Sequence, residues 1–461
     1  MLWLIISVME QTLILINPWI YDFAAYDLWS KPLGLLYLAG YLRSCGFRIH
    51  LVDCLDVHHP EMERDPTIPK PVRRSYGTGK FWRQTVPKPS PLKHVMRPYS
   101  RYGITRQLFR KELKKIRQPA AILVTSLMTY WYPGIREAIT LAREVHPDAP
   151  VILGGIYVRL CRQHAGRFSG ADYVASEGGL SDMESVLQVI NKCDIPLYGS
   201  YPPKNDLPYP AFDMLHRIDY ICILTSTGCP YRCHYCASHI INPKYSRRDP
   251  DHILEEIQYW HSKYGVRDFA FYDDALLVES DNHMGIVLED LVRLNLNLRF
   301  HTPNALHVRE ISLDIARLLF LSGFRTIRLG LETSDMKQHS DLDNKISEGE
   351  FEKAVYNLKI AGFSSEEIGI YILIGLPGQS VDSVADTIKF VGSVGASPYL
   401  AEYSPLPHTP LWEKALSHSV YDLSSEPLFH NNTLLPCWDR EQREKLPELR
   451  RLVQEIRQYR S

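Results

Sequence analysis

Two series of short apolar runs alternate with helix-patterned stretches along this chain. That alternation restricts the fold to parallel sheets covered by helices. In the first series Thr12–Asn17 (TLILIN) reads as a buried strand. Residues 33–45 read as an apolar-periodic helix closed by Gly46 at the C′ position, and 47–53 (FRIHLVD) as a second strand. Residues 120–126, 150–155 and 171–176 supply three more strands, with helices over 135–145 and 181–190. Five strands with crossover helices predict a doubly wound α/β domain. Its ligand would lie beyond the carboxyl ends of the strands.

A Pro-rich connector at 198–210 (YGSYPPKNDLPYP) marks the best boundary. Beyond it the strand pattern returns at 220–225, 269–272, 298–301, 326–331, Ile368–Ile374 and 399–403. Helices fill the gaps, among them Pro250–Tyr264, where Asp249 is the expected N-cap and Pro250 the first helical residue. Six β/α units predict a partial (β/α)6 TIM-type barrel with its chemistry at the C-terminal ends of the strands. The expected organisation is an N-terminal domain at 10–195, a linker at 196–218, a barrel at 219–415 and a helical extension at 416–461.

Composition narrows the function classes. The 461 residues are 45% hydrophobic with a net charge of −1, which leaves no molecule-wide electrostatic footprint for nucleic acid. The apolar start, 1–8 (MLWLIISV), is far shorter than the ~20 residues that span a bilayer. It also lacks a basic flank and a cleavage site, so neither a membrane span nor a signal peptide is expected. Met9 is an alternative start, and the chain reads as cytoplasmic. One segment stands apart. Between 56 and 118 the first domain is interrupted by a Pro-rich insertion with interleaved aromatics, among them Tyr76, Phe81, Trp82, Tyr99 and Tyr102. From 61 to 118 it carries sixteen Lys and Arg against four Asp and Glu, a local +12. It reads either as a solvated arm draped over the sheet or as a lid gathering phosphate or carboxylate groups.

Six of the nine cysteines are scattered, and an uneven set in a long chain is no secreted disulfide framework. The other three, Cys229, Cys233 and Cys236, form a Cys-x3-Cys-x2-Cys run directly after the strand at 220–225. Three thiolates on one tight loop can each hold one iron of a four-iron cluster, leaving the fourth iron without a protein ligand. A zinc site completed by His234 or His239 is disfavoured, because no second ligand pair exists in the sequence. A ferredoxin-type cluster would need a fourth cysteine, and Cys222 lies inside the strand.

On this motif residues 220–403 resemble a radical S-adenosylmethionine (SAM) domain. The whole chain is similar to the cobalamin-dependent radical SAM proteins with an N-terminal cobalamin-binding domain. The resemblance implies a 4Fe–4S cluster whose open iron is chelated by SAM, and reductive cleavage of SAM to a 5′-deoxyadenosyl radical. It implies a one-electron reductant such as ferredoxin or flavodoxin, and a substrate the sequence does not name. Tyr235 matches the aromatic that packs on the SAM adenine. Asp273 and Asp274 stand where family members place polar SAM contacts. Glu332, in Gly330-Leu-Glu, resembles the acidic residue near the ribose or amino group. Gly375, in Gly375-Leu-Pro-Gly378, resembles the turn that admits the adenine.

In the first domain Gly34, Gly154, Gly155 and Gly178 match the layout of cobalamin-binding turns, with the basic insertion (Lys80, Arg97 to Arg101) placed to cover them. No Asp-x-His-x-x-Gly motif follows the first strand, so His58 is expected to be a loop histidine and not a cobalt ligand. The resemblance implies a methyltransferase acting on an unactivated carbon. A non-methylating rearrangement, cyclisation or oxidation, and a non-catalytic corrinoid or iron–sulfur sensor, are the alternatives. His301, Asn304, His307, Tyr403 and His408 at the barrel mouth are open candidates for substrate contact.

Overall fold

The computed structural model describes residues 11–175, 186, 189–190 and 208–458. The chain divides into two units between Ile218 and Asp219. The first holds a five-stranded sheet of β1 (Thr12–Asn17), β2 (Arg48–Asp53), β3 (Ala121–Val124), β4 (Val151–Leu153) and β5 (Tyr173–Val174). Their order is β5-β4-β3-β1-β2, every neighbouring pair parallel. Chain direction across the sheet therefore reverses between β1 and β3, the place where doubly wound folds open a crevice. Leu13, Ile14, Leu15 and Ile16 of β1 are fully buried, as a central strand covered on both faces requires. Each such side chain contributes about 1.5–3 kcal/mol by leaving water. The helix Leu33–Ser44 ends as the sequence predicts. Gly46 adopts φ 88°, its N–H bonding Arg43 O while Phe47 N–H bonds Leu42 O.

The insertion is not a solvated arm. It folds into the first unit. Arg83–Thr85 and Ser100–Tyr102 pair antiparallel, and Ile20–Asp22 adds to the second of them. Phe81, Trp82, Leu92, Tyr99, Ile104 and Phe109 are all buried. Trp82 Nε1 donates to Val57 O (3.2 Å), Tyr99 OH to Tyr21 O (3.0 Å) and Trp19 Nε1 to Ile104 O (2.7 Å). Phe81, Trp82, Tyr99 and Tyr102 thus belong to a satellite core, with the polar ends of Trp82, Tyr99 and Tyr102 hydrogen-bonded. Arg101, expected among the lid cations, is buried, bonds Gln84 Oε1 at 2.6 Å and lies over the Trp19 ring. Lys80 and Arg97 are exposed, the latter against Phe23.

The second unit is a six-stranded sheet of β6 (Ile221–Ile223), β7 (Asp268–Phe271), β8 (Arg299–His301), β9 (Phe324–Glu332), β10 (Ile368–Ile374) and β11 (Ser397–Glu402). The strands run parallel in sequence order. Phe269, Phe271, Phe300 and Phe324 meet with ring centroids 5.4–5.9 Å apart and knit three neighbouring strands together. Asp249 caps the helix Pro250–Tyr264, as the sequence predicts, and Gly265 ends it at φ 68°. The terminal helix, Leu446–Gln458, packs along β11 and the helix Val381–Val394. No described helix is long and apolar enough to cross a membrane.

Candidate active site

The cysteine loop leaves the carboxyl end of β6 through Gly228, which adopts φ 76°. A Cβ there would lie 2.8 Å from Lys244 O and 2.9 Å from Asn242 O, so only glycine allows the turn. Backbone bonds then fix the loop: His234 N–H to Leu342 O (2.8 Å) and Leu411 N–H to His234 O (3.0 Å). Cys233 is buried, while Cys229 and Cys236 are half-buried. Cys236 Sγ accepts the Ser238 N–H at 3.4 Å and lies 3.2 Å from Ser238 Oγ. His234 points to solvent. Among the described residues no three His, Cys, Asp or Glu side chains converge on one metal-ion position. A four-iron cluster does not ask for such convergence, since each thiolate holds a different iron.

Glu332 closes β9 where the ladder to β10 slips, and it adopts φ 64°. A non-glycine residue in that region is strained by about 1–2 kcal/mol. Gly330 makes room for it, because a Cβ at 330 would sit 2.8 Å from Glu332 Oε1. The buried carboxylate accepts the Tyr235 hydroxyl at 2.9 Å, and Lys345 Nζ bonds the same hydroxyl at 3.2 Å. Burial raises the Glu332 carboxyl, while the Lys345 ammonium opposes that rise. Burial would lower Lys345, but Glu332, Cys233 and Asp343 more than reverse it and hold the ammonium charged. The buried Glu332 and the half-buried Tyr235 and Lys345 thus form one polar group beside Cys233.

The structure brings together Tyr235 and Glu332, both singled out from the sequence, and adds Lys345, which the sequence did not single out. Lys345 follows the short helix Met336–Leu342, and no strand end marks it. Asp343, bonded to His339 Nδ1 at 3.0 Å, accepts the Lys345 N–H at 3.1 Å and shapes that turn.

Other expected contacts are placed differently. Asp273 is buried against β6, its oxygens accepting from the N–H and hydroxyl groups of Thr225 and Ser226. Asp274 is less enclosed; burial pushes its carboxyl up to about 6, against a hydrogen bond from Ser238. Gly375 needs its φ of 86°, but its bare face meets Leu435 Cδ2, 2.8 Å from where a Cβ would stand. His301 is fully buried between Asp268 (3.1 Å) and Thr326 (3.1 Å). Asn304 bonds Tyr272 O at 2.9 Å. His307 packs on Tyr231, and burial pushes it down to about 3, so it is neutral. Tyr403 is buried, with its hydroxyl unbonded among the described residues, and His408 is exposed.

At the carboxyl ends of the first sheet, Asn17 Nδ2 donates to Asp53 Oδ1 at 2.7 Å, and burial raises the Asp53 carboxyl to about 6. Gly155 adopts φ 97°, and a Cβ there would strike Ser126 O at 2.3 Å. Gly154 is open: a Cβ would meet only Ala175 Cβ at 4.0 Å. Gly34, in the first turn of its helix, has nothing within 4 Å. Gly178 lies outside the described residues, as do most of the expected helix at 181–190 and all of 1–8. His58 is buried, with Nδ1 3.4 Å from Glu63 Oε1.

Residues 223–391 match the radical SAM superfamily. An uncharacterized methyltransferase of Pyrococcus horikoshii is 23% identical over 227 residues, which cover 47% of this chain and 48% of that protein. The chain therefore matches only about half the length of that relative. Cytidylyl-2-hydroxyethylphosphonate methyltransferase of Streptomyces wedmorensis is 19% identical over 84% of this chain and 78% of its own length. Among solved structures, the radical SAM methyltransferase TsrM of Kitasatospora setae superposes with a TM-score of 0.66 at 15% identity, covering 97% of this chain and 89% of that one. It has been solved with tryptophan and a SAM analogue, and with cobalamin and a [4Fe-4S] cluster. This chain carries a radical SAM domain over residues 223–391, and its fold is similar to that of TsrM.

Proposed function

We propose that the protein is a cobalamin-dependent radical SAM methyltransferase acting on an unactivated carbon of a small molecule. The observation that carries this reading is the glycine-locked Cys229–Cys233–Cys236 loop beside the Tyr235–Glu332–Lys345 group, inside the matched domain. When bound, a 4Fe–4S cluster with SAM supplies a 5′-deoxyadenosyl radical, and cobalamin carries the methyl group. The protein's task is placement and exclusion of water and oxygen. The three cysteine thiolates would hold three irons. Tyr235 offers a ring face to the adenine, and Glu332 and Lys345 offer opposite charges to the SAM amino and carboxylate groups.

In the first unit, the open Gly154 and the backbone around Ser126 fit an amide-rich ligand, which supports cobalamin there. His58 is occupied by Glu63, which supports base-off binding without a protein histidine on cobalt. A ferredoxin or flavodoxin donor, a cytoplasmic setting and no role for nucleic acid complete the proposal. Anaerobic reconstitution with iron, sulfide, cobalamin and SAM should yield both 5′-deoxyadenosine and S-adenosylhomocysteine when substrate is present. Deoxyadenosine without homocysteine would leave radical chemistry but remove methyl transfer.

The two glycines after β4 separate ligand from fold. Gly154→Leu projects into open space and should leave the melting temperature nearly unchanged while cobalamin retention falls at least about tenfold. Gly155→Leu should destabilise the protein with or without cobalamin, because its clash is with Ser126. Normal cobalamin retention by a folded Gly154→Leu variant would move the cofactor elsewhere.

A further inference from the structure

The concave face of the barrel changes character below the cluster loop. The register sets Arg328 beside Gly369 and Ser397, then Gly330 beside Tyr371 and Tyr399 one layer nearer the mouth. Gly369 is a packing requirement: a Cβ there would sit 2.7 Å from Arg328 Nη1 and 2.8 Å from Tyr399 Cε2. Its absence of side chain lets the Arg328 guanidinium lie over the Tyr399 ring, 4.4 Å from the centroid. Arg457, from the last turn of the terminal helix, lies over the same ring at 3.6 Å. Two cations therefore share one phenol.

Their remaining hydrogen-bonding capacity is not spent. Arg328 bonds its neighbour's carbonyl, Ile327 O, at 2.8 Å and Tyr399 OH at 3.4 Å, and it also interacts with the Tyr371 hydroxyl. Arg457 Nε and Nη2 are shielded from solvent and bond nothing among the described residues. The strand carboxylates Asp268, Glu332 and Glu402 are committed elsewhere, to Arg299 and His301, to Tyr235, and to Arg450. Burial lowers Arg457 and the Arg328 charge lowers it further, against the pull of Tyr399. Two like charges held together with unmet donors are costly unless an anion joins them. Planar guanidinium forks suit an oxyanion with two or more oxygens. Arg328, Tyr371, Tyr399 and Arg457 are each partly exposed, but Nε and Nη2 of Arg457 are not, so an ion meets the exposed edge of the guanidinium pair first.

The geometry points to an oxyanion site on the barrel floor, formed by Arg328 and Arg457 around Tyr399, that takes a phosphate or carboxylate group and ties the terminal helix to β11. It stands independently of the chemistry at the cysteine loop. The test is thermal denaturation of the anaerobically prepared holoprotein in inorganic phosphate, against chloride at matched ionic strength. Phosphate should raise the melting temperature saturably, since a ligand of the folded state alone stabilises it. Arg457→Gln should weaken the apparent phosphate affinity at least about tenfold, and Arg457→Lys by less, because charge survives without the fork. Arg328→Gln should match Arg457→Gln; if Arg328→Gln does not fold, the helix variant alone decides. Phenyl phosphate separates two sources of the group. Binding as tight as phosphate marks the anionic end of a larger molecule, and exclusion marks a free ion. A phosphate response no different from chloride, or an unchanged response in Arg457→Gln, overturns the site.

Discussion

The variant with Cys229, Cys233 and Cys236 all replaced by alanine should purify folded, colourless and free of iron and sulfide. Wild type, prepared without oxygen, should be brown and bleach with dithionite. The effect should be complete, because the five other described cysteines are buried elsewhere and none lies on the loop. Only Cys233 of the three is deeply buried, and a sulfur removed from a short loop costs about 1 kcal/mol or less, so circular dichroism should show an intact fold. Iron and sulfide at wild-type levels in the triple variant would end the cluster reading. Zinc in place of iron in the native protein would end it too.

Much of this architecture is readable because it is local. Strand runs such as TLILIN and a helix stop such as Gly46 carry their physics within a few residues. The spacing Gly330-Leu-Glu332 also proved local, since the glycine exists to admit the carboxylate two residues on. What depends on distant partners was not legible. The aromatics of the insertion looked displayed between prolines, yet Trp82 and Tyr99 are held by Val57 and Tyr21, 25 and 78 residues away. Lys345 joins Tyr235 across 110 residues, and no pattern around it says so. Gly375 carries a positive φ, which its sequence context announced, but the Leu435 packed on it comes from the terminal extension.

Asp273→Ala should cost about 3 kcal/mol or more of stability and empty the cluster site with it. The sequence suggested Asp273 as a SAM contact, and its position at the end of β7 is right for one. Its oxygens are already taken: Oδ1 accepts Thr225 N–H at 3.0 Å, Thr225 Oγ1–H at 2.7 Å, Ser226 N–H at 2.6 Å and Ser226 Oγ–H at 2.6 Å. Alanine would leave two buried backbone N–H groups without an acceptor, each worth about 1–3 kcal/mol. The chain that those groups anchor becomes the cysteine loop two residues later, at Thr227 and Gly228, so the damage passes to the cluster. Asp273→Asn should be milder on stability, keeping one acceptor oxygen but turning an amide N–H₂ toward donors. The measurements are chemical denaturation, iron content, and SAM affinity normalised to cluster content. An anchoring role predicts lost stability and iron, with normal SAM affinity in whatever fraction keeps its cluster. Full stability and iron with weakened SAM binding would instead make Asp273 a direct ligand, and Thr225 and Ser226 would then have to find other acceptors.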